Sequence, residues 1–239
     1  MIGAILNAAG IVLGGLWALT GRHRIPARYQ FVLKVVLGVY TCWFGLRLTW
    51  SSFNGSWRQI LKEFCIVLLA LVLGGIAGRL ARLQKMSNSV GHYATRAMAA
   101  PAGPRQFSDG FVLATALFCA GPLALLASVQ EGLTGFSPLF FVKAGTDGLA
   151  TLAFCATFGW SAAASALPVL ALEGTLIRAV RAAAPALASQ PWPLIDSINA
   201  GDGLLIVCVA MLILELKRIP VADYFPSLIF APLLTWWLW

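Results

Sequence analysis

The chain has 239 residues, of which 59% are hydrophobic and only 11% are charged; a water-soluble domain averages roughly a quarter charged. That composition excludes an ordinary soluble fold. The net charge of +8 reads as Lys and Arg gathered in the loops of one membrane face, not as a nucleic-acid surface.

Eight apolar spans follow one another, at about 2–20, 29–50, 60–80, 108–130, 139–159, 161–181, 198–216 and 221–238. Each approaches the roughly twenty residues that a bilayer core of about 30 Å requires at about 1.5 Å per residue. The expected fold is therefore all-α, a polytopic transmembrane helix bundle. No stretch is polar and long enough for a soluble domain, so residues 1–239 form a single integral membrane domain.

The first span has no basic n-region before it and carries Asn7, so it is expected to persist as a transmembrane helix and not as a cleaved signal. Asn7, Gly10 and Gly14 fall on one stripe of it, a small-residue face of the kind that lets helices approach closely in lipid. The same device recurs as Gly74 and Gly78 in span three, and such faces also offer a route to a homo-oligomer. The first break, Gly21-Arg22-His23-Arg24-Ile25-Pro26, is basic and closed by proline, and the second, Ser51 to Arg58, holds Asn54-Gly55.

The third break, 81–106, is the longest and is expected to be a cytoplasmic loop; it starts as a helical extension and ends at Pro101-Ala102-Gly103-Pro104. Span four breaks at Gly121-Pro122. Span five runs into span six through Gly159-Trp160-Ser161, where a re-entrant hairpin would reduce the crossings to seven. Pro185, Pro191, Trp192 and Pro193 separate spans six and seven. An internal repeat is an open question. Phe118 to Leu123 echoes Ile229 to Leu233, which would make parallel halves, whereas matching spans two and three to seven and eight would make inverted ones.

Charge sets the expected orientation. With eight crossings, eleven of the 17 basic residues lie on one side: Arg22, Arg24, Arg28, Lys34, Arg79, Arg82, Lys85, Arg96, Arg105, Lys217 and Arg218. That places both termini outside and the 81–106 loop inside. Trp50, Trp57, Trp160, Trp192 and Trp236 to Trp239 mark the span edges. A cysteine placed at position 92 in a cysteine-free background should resist an impermeant thiol reagent added from the periplasm. Labelling from that side would reverse the assignment.

All five cysteines fall in apolar spans and both histidines in basic loops, so no disulfide framework, metal site or other cofactor is expected. No GxSxG, HExxH, Walker A or Rossmann fingerprint occurs, which argues against an enzyme.

Polar groups at membrane depth are costly and tend to face a cavity or a partner. Lys143, Asp147 and Thr151, spaced i, i+4, i+8, share one face of span five. They read either as a substrate or ion site, with Asp147 titrating, or as an ion pair that locks the helices. Gly145 and Gly148 beside Asp147 would allow local unwinding. Glu173, after Pro168 in span six, reads as a gating or proton-binding acid, or as an interfacial partner of Arg178. The break at Gly121-Pro122 would offer helix ends to a ligand. Gln130 and Glu131 would line its mouth or cap the helix at the interface. Asp109 and Asp202 read as helix N-terminal residues, and Glu215 as a solvated helix end.

The opening Gly3-Ala4-Ile5-Leu6-Asn7 with Gly10 and Gly14, the run Ser128-Val129-Gln130-Glu131-Gly132-Leu133, the stretch Lys143 to Gly148, and Asp202-Gly203-Leu204-Leu205 together resemble the YqgA/YdfK family of bacterial inner-membrane proteins of unknown function. The resemblance spans essentially the whole chain. Two positions depart from it: Gly121-Pro122, where no proline is expected, and Glu131, where Asp is expected. The resemblance implies a multi-pass protein of a bacterial plasma membrane and supplies no substrate.

The leading functional expectation is a secondary transporter or exporter of a small solute or ion. Asn7, Lys143, Asp147 and Thr151 would bind the substrate, and Glu131, Gln130, Glu173, Gly121 and Pro122 would couple or gate. The alternative is a channel, or a structural membrane protein in which the same residues only hold helices together. The lipid bilayer is the expected environment, with no nucleic-acid partner.

Overall fold

The computed structural model describes residues 1–20, 26–99, 107–191 and 193–239. The basic break at 21–25, the proline-rich end of the third break, Arg105 and Trp192 lie outside the described residues. Every regular element among the described residues is helical: α1 (Ile2–Leu19), α2 (Ala27–Ser52), α3 (Trp57–Leu80), α4 (Leu83–Ala99), α5 (Phe107–Ala120), α6 (Pro122–Thr134), α7 (Leu139–Phe158), α8 (Ala166–Ala188), α9 (Leu194–Ile213) and α10 (Ser227–Leu238). Short 3-10 helices at Gly159–Ser165 and Val221–Tyr224 precede α8 and α10.

Among the described residues six stretches are long and apolar enough to cross a membrane, or seven with the α5–α6 pair, which bends by 57° at its break. The stretch 139–188 counts as one of the six although it holds both α7 and α8. The chain segregates into two compact units, residues 1–32 with 86–180, and residues 33–85 with 181–239.

In the first unit α1 packs along α7, and α5 packs on the 3-10 helix before α8. Its apolar core includes Ile11, Leu113, Phe118, Phe154 and Val169. Phe118 and Phe154 meet edge to face with ring centroids 6.1 Å apart, a favoured aromatic arrangement. The third break, expected as a loop, is largely the helix α4, whose Ala94 is buried in this core. The stretch 83–99 has a single glycine, Gly91, and no proline to interrupt it, and one apolar edge faces inward.

The α5–α6 break follows from two residues. Gly121 is the extended N-cap of α6 (ψ 139°) and Pro122 sits at the first helical position, where its missing N–H costs nothing and its fixed φ suits the turn. Gly135 ends α6 in the left-handed region, φ +88°, as glycine readily does.

In the second unit α3 packs against α10 and the 3-10 helix before it, and α9 packs against α10. Ser56 and Gln59 form a capping box at the start of α3, reciprocally satisfying backbone and side-chain groups. The expected small-residue face is used here: a Cβ on Gly74 would come 2.6 Å from the Ser227 Cβ, and one on Gly78 would meet the Asp223 backbone. Asp223 in turn accepts a hydrogen bond from the Gln84 N–H at 2.8 Å, while the Gln84 side chain accepts one from Ala222 N–H at 3.0 Å. The exposed Glu215 pairs with Lys34, which holds its carboxyl below the usual carboxylate range.

Three boundaries differ from expectation. Pro185 lies inside α8 and does not end it; the alanines around it favour helix strongly enough to carry the chain on. α9 begins at Leu194, with Asp196 in its first turn, so Asp202 is not an N-terminal residue but lies mid-helix and fully buried. Pro168 falls in the first turn of α8, where backbone N–H groups lack helical partners anyway, so it frees no carbonyl by kinking the helix.

The exposed surface is the reverse of a soluble protein's. Ile2, Leu13, Leu16 and Trp17 on α1, Phe31, Val36 and Trp43 on α2, and Leu61 and Val72 on α3 are more than half exposed, while Glu63, Lys143, Glu173 and Asp202 are buried. Apolar exposure on this scale needs an apolar surrounding. Among the described residues Trp50 and Trp57 are the most exposed large hydrophobic side chains, at 83% and 84%, at the adjoining ends of α2 and α3, where an interfacial aromatic belt would lie.

Candidate functional site

The site lies inside the first unit, on α1, α5, α7 and α8. Lys143 and Asp147 stand one turn apart on α7 and face α1, and α7 stays a continuous helix through them. The expected unwinding at Gly145 and Gly148 is absent. Gly148 has another use. A Cβ there would lie 2.9 Å from the Gly10 carbonyl, a Cβ on Gly10 would lie 2.7 Å from the Ala144 carbonyl, and a Cβ on Gly14 would run into the Gly148 carbonyl. With no side chains between them, the two backbones come close enough for Asn7 on α1 to reach α7.

Lys143 is 1% exposed and its ammonium makes three contacts. It pairs with Asp147 Oδ2, lies 3.3 Å from Glu173 Oε1 and donates to the Phe118 carbonyl at 3.0 Å. Asn7, fully buried, donates through Nδ2 to Asp147 Oδ2 at 3.2 Å and to Glu173 Oε1 at 2.9 Å. One cation and one amide thus hold two carboxylates from different helices.

The Phe118 carbonyl ties the cluster to the helix break. In an unbroken helix that carbonyl would accept from the N–H of residue 122, but residue 122 is proline, which has no N–H to give. Pro122 therefore releases the carbonyl that Lys143 takes up. Gly121 and Pro122 belong to the site through this backbone group.

The other expected residues divide. Glu173 is fully buried and joins the cluster instead of pairing with Arg178. Thr151 is buried on the expected face, but its hydroxyl donates to the Asp147 backbone carbonyl at 2.7 Å, within its own helix. Glu131 is buried and caps a different helix from its own: it accepts from the Gly3 N–H at 3.0 Å and pairs with the Met1 ammonium at the start of α1. Negative charge is stabilising at a helix N-terminus. Gln130, 2% exposed, lies one residue before it on α6.

Two residues escape a reading of the sequence. Cys119, treated as a small apolar side chain, lies within electrostatic reach of Lys143, Asp147 and Glu173. Its place beside Phe118 at the proline break was the available signal. Glu63 on α3 of the second unit is 1% exposed with Oε1 unpartnered. Its neighbours Lys62 and Arg58 in sequence suggest a solvated span end, and nothing in the local pattern marks it as buried. Among the described residues no three His, Cys, Asp or Glu side chains gather as a metal ion would require.

Apolar exposed helices around a buried charged cluster define a multi-pass helical membrane protein. The family described as "Protein of unknown function (DUF554)" matches residues 2–236, and the chain belongs to that family. It is similar to "Uncharacterized membrane protein YdfK" of Bacillus subtilis (strain 168), with 24% identity over 232 residues, covering 97% of this chain and 94% of the relative. It is also similar to "Uncharacterized protein YqgA" of Escherichia coli (strain K12), with 25% identity over 241 residues, covering 99% and 97%. The resemblance read from the motifs is thereby shown. No solved structure matches the chain.

Proposed function

We propose that this protein is a secondary transporter of a small solute or ion in a bacterial inner membrane, and not an enzyme. The observation that carries the reading is the junction of a broken helix with buried ionisable side chains. A carbonyl released at the α5–α6 bend, Lys143, Asp147, Glu173 and Asn7 converge from four helices. Ionisable groups at membrane depth are rare because they cost so much, and they mark substrate or ion pathways. Helix breaks at the same depth supply backbone groups to ligands in transporters. The second reading, a structural membrane protein, is favoured by one feature: every donor of Lys143 is already engaged inside the protein.

The test is reconstitution. Purified protein in proteoliposomes is screened for uptake of cations, anions, amino acids and sugars, with and without proton or sodium gradients. At least one solute should move, and Asp147→Asn should reduce its flux at least tenfold while the variant stays monodisperse and normally abundant. Flux that survives Asp147→Asn unchanged, or no flux in any arm, overturns the proposal.

A further inference from the structure

Five donor hydrogens define the charged cluster, and all of them are spent. The three of the Lys143 ammonium go to Asp147, Glu173 and the Phe118 carbonyl. The two of the Asn7 amide go to Asp147 Oδ2 and Glu173 Oε1. Two acceptors in the same cluster have no donor: Glu173 Oε2 and Asn7 Oδ1, both buried. Buried polar atoms are almost always paired, and an unpaired one is costly. The charges show the same imbalance, because one ammonium faces two carboxylates.

A single proton corrects both. We propose that Glu173 Oε2 is a proton-exchange site. The proton adds to the carboxylate as an O–H bond, neutralises the excess negative charge and provides a further donor in a cluster whose five are spent. On release the proton returns to water and the carboxylate is restored. Glu173 is the carboxylate that takes it, not Asp147. Asp147 stands closer to Lys143, whereas Glu173 is held only through Oε1, at 3.3 Å from that ammonium. An alkali cation fits less well, because Lys143 already occupies the space between the carboxylates and two free oxygens fall short of a metal's coordination shell.

The groups facing Glu173 are few. α7 presents Lys143 and Asp147, α1 presents Asn7, and α5 presents the Cys119 thiol. The start of α1 approaches next to it, since a Cβ on Gly174 would lie 2.9 Å from the Met1 side chain, and the ammonium there is engaged by Glu131. No second cation among the described contacts competes for Oε2.

This inference deepens the transport reading by naming its coupling ion, and its first test does not depend on that reading. Infrared difference spectra of the purified protein in lipid, recorded between neutral and alkaline pH, should show a protonated-carboxyl band that Glu173→Gln removes and Asp147→Asn retains. Replacing choline chloride by sodium chloride at fixed pH should leave the band unchanged. Absence of the band, its survival in Glu173→Gln, or its displacement by sodium overturns the inference. In proteoliposomes Glu173→Gln should abolish proton-driven accumulation. Vesicles silent to every solute alongside an intact Glu173 band would overturn transport and uphold the proton site.

Discussion

Lys143→Met should lower stability by on the order of 3–5 kcal/mol, the cost of breaking a buried ion pair by removing one partner. The effect should exceed that of Asp147→Asn, because Lys143 serves Asp147 and Glu173 together and also fills the Phe118 carbonyl. Met matches the length of the Lys stem, so the loss reflects charge and hydrogen bonding and not a cavity. Thermal unfolding in detergent, with abundance in the membrane as a second readout, measures it. The triple change Lys143→Met, Asp147→Leu, Glu173→Gln should recover most of the lost stability, since no unpaired charge remains, and should remain inactive in proteoliposomes. Recovery of both stability and flux would make the cluster dispensable to transport and sink the functional assignment.

The class of fold is legible from the sequence because lipid imposes a simple rule: backbone groups must be satisfied within the helix, so long apolar runs read directly as helices. The shared face of Lys143, Asp147 and Thr151 follows from the 3.6-residue period and is found buried. What it faces is not legible, because periodicity places residues on a helix and says nothing of which helix packs there. Glu173 and Asn7 therefore appear in the sequence as separate polar residues and meet only in the fold. Glu131 illustrates the same limit: its place at the start of α1, 128 residues away from Gly3, is a tertiary fact. The third break misleads for a different reason. Its polar composition was read as loop, yet an amphipathic helix needs only one apolar edge, and Ala94 supplies part of it. Asp202 was expected near the start of a span beginning at 198, whereas α9 begins at Leu194 and takes Asp196 into its first turn, where a helix N-terminus favours an acid. The repeat question takes a new form. The two Asp-Gly pairs, Asp147-Gly148 on α7 and Asp202-Gly203 on α9, each sit at a close helix crossing: Gly148 against Gly10 in the first unit, and Gly203 against Gly45 in the second, with a Cβ on Gly203 lying 2.7 Å from the Gly45 carbonyl. Neither pairing expected from the sequence matched these two helices.

Gly14→Val should be among the most damaging single changes outside the charged cluster. Its Cβ would run into the Gly148 carbonyl, and backbone cannot move aside as a flexible side chain can. Overpacking of this kind costs about 1–3 kcal/mol, occasionally more. Here the helices can accommodate the branch only by separating, and separation carries Asn7 away from Asp147, the residue next to Gly148. Asn7 would then leave acceptors on both carboxylates unserved. The variant should lose stability and, at permissive temperature, transport as well. Gly10→Ala should act in the same direction with a smaller effect. Its Cβ would lie 2.7 Å from the Ala144 carbonyl and adds no further branch. Leu13→Ala, whose side chain is 65% exposed on the outward face of α1, should leave both stability and flux within error. Melting curves and initial uptake rates for the three variants decide the matter. A Gly14→Val protein that melts with the wild type would mean that α1 and α7 do not meet backbone to backbone, and the route by which Asn7 enters the cluster would be lost.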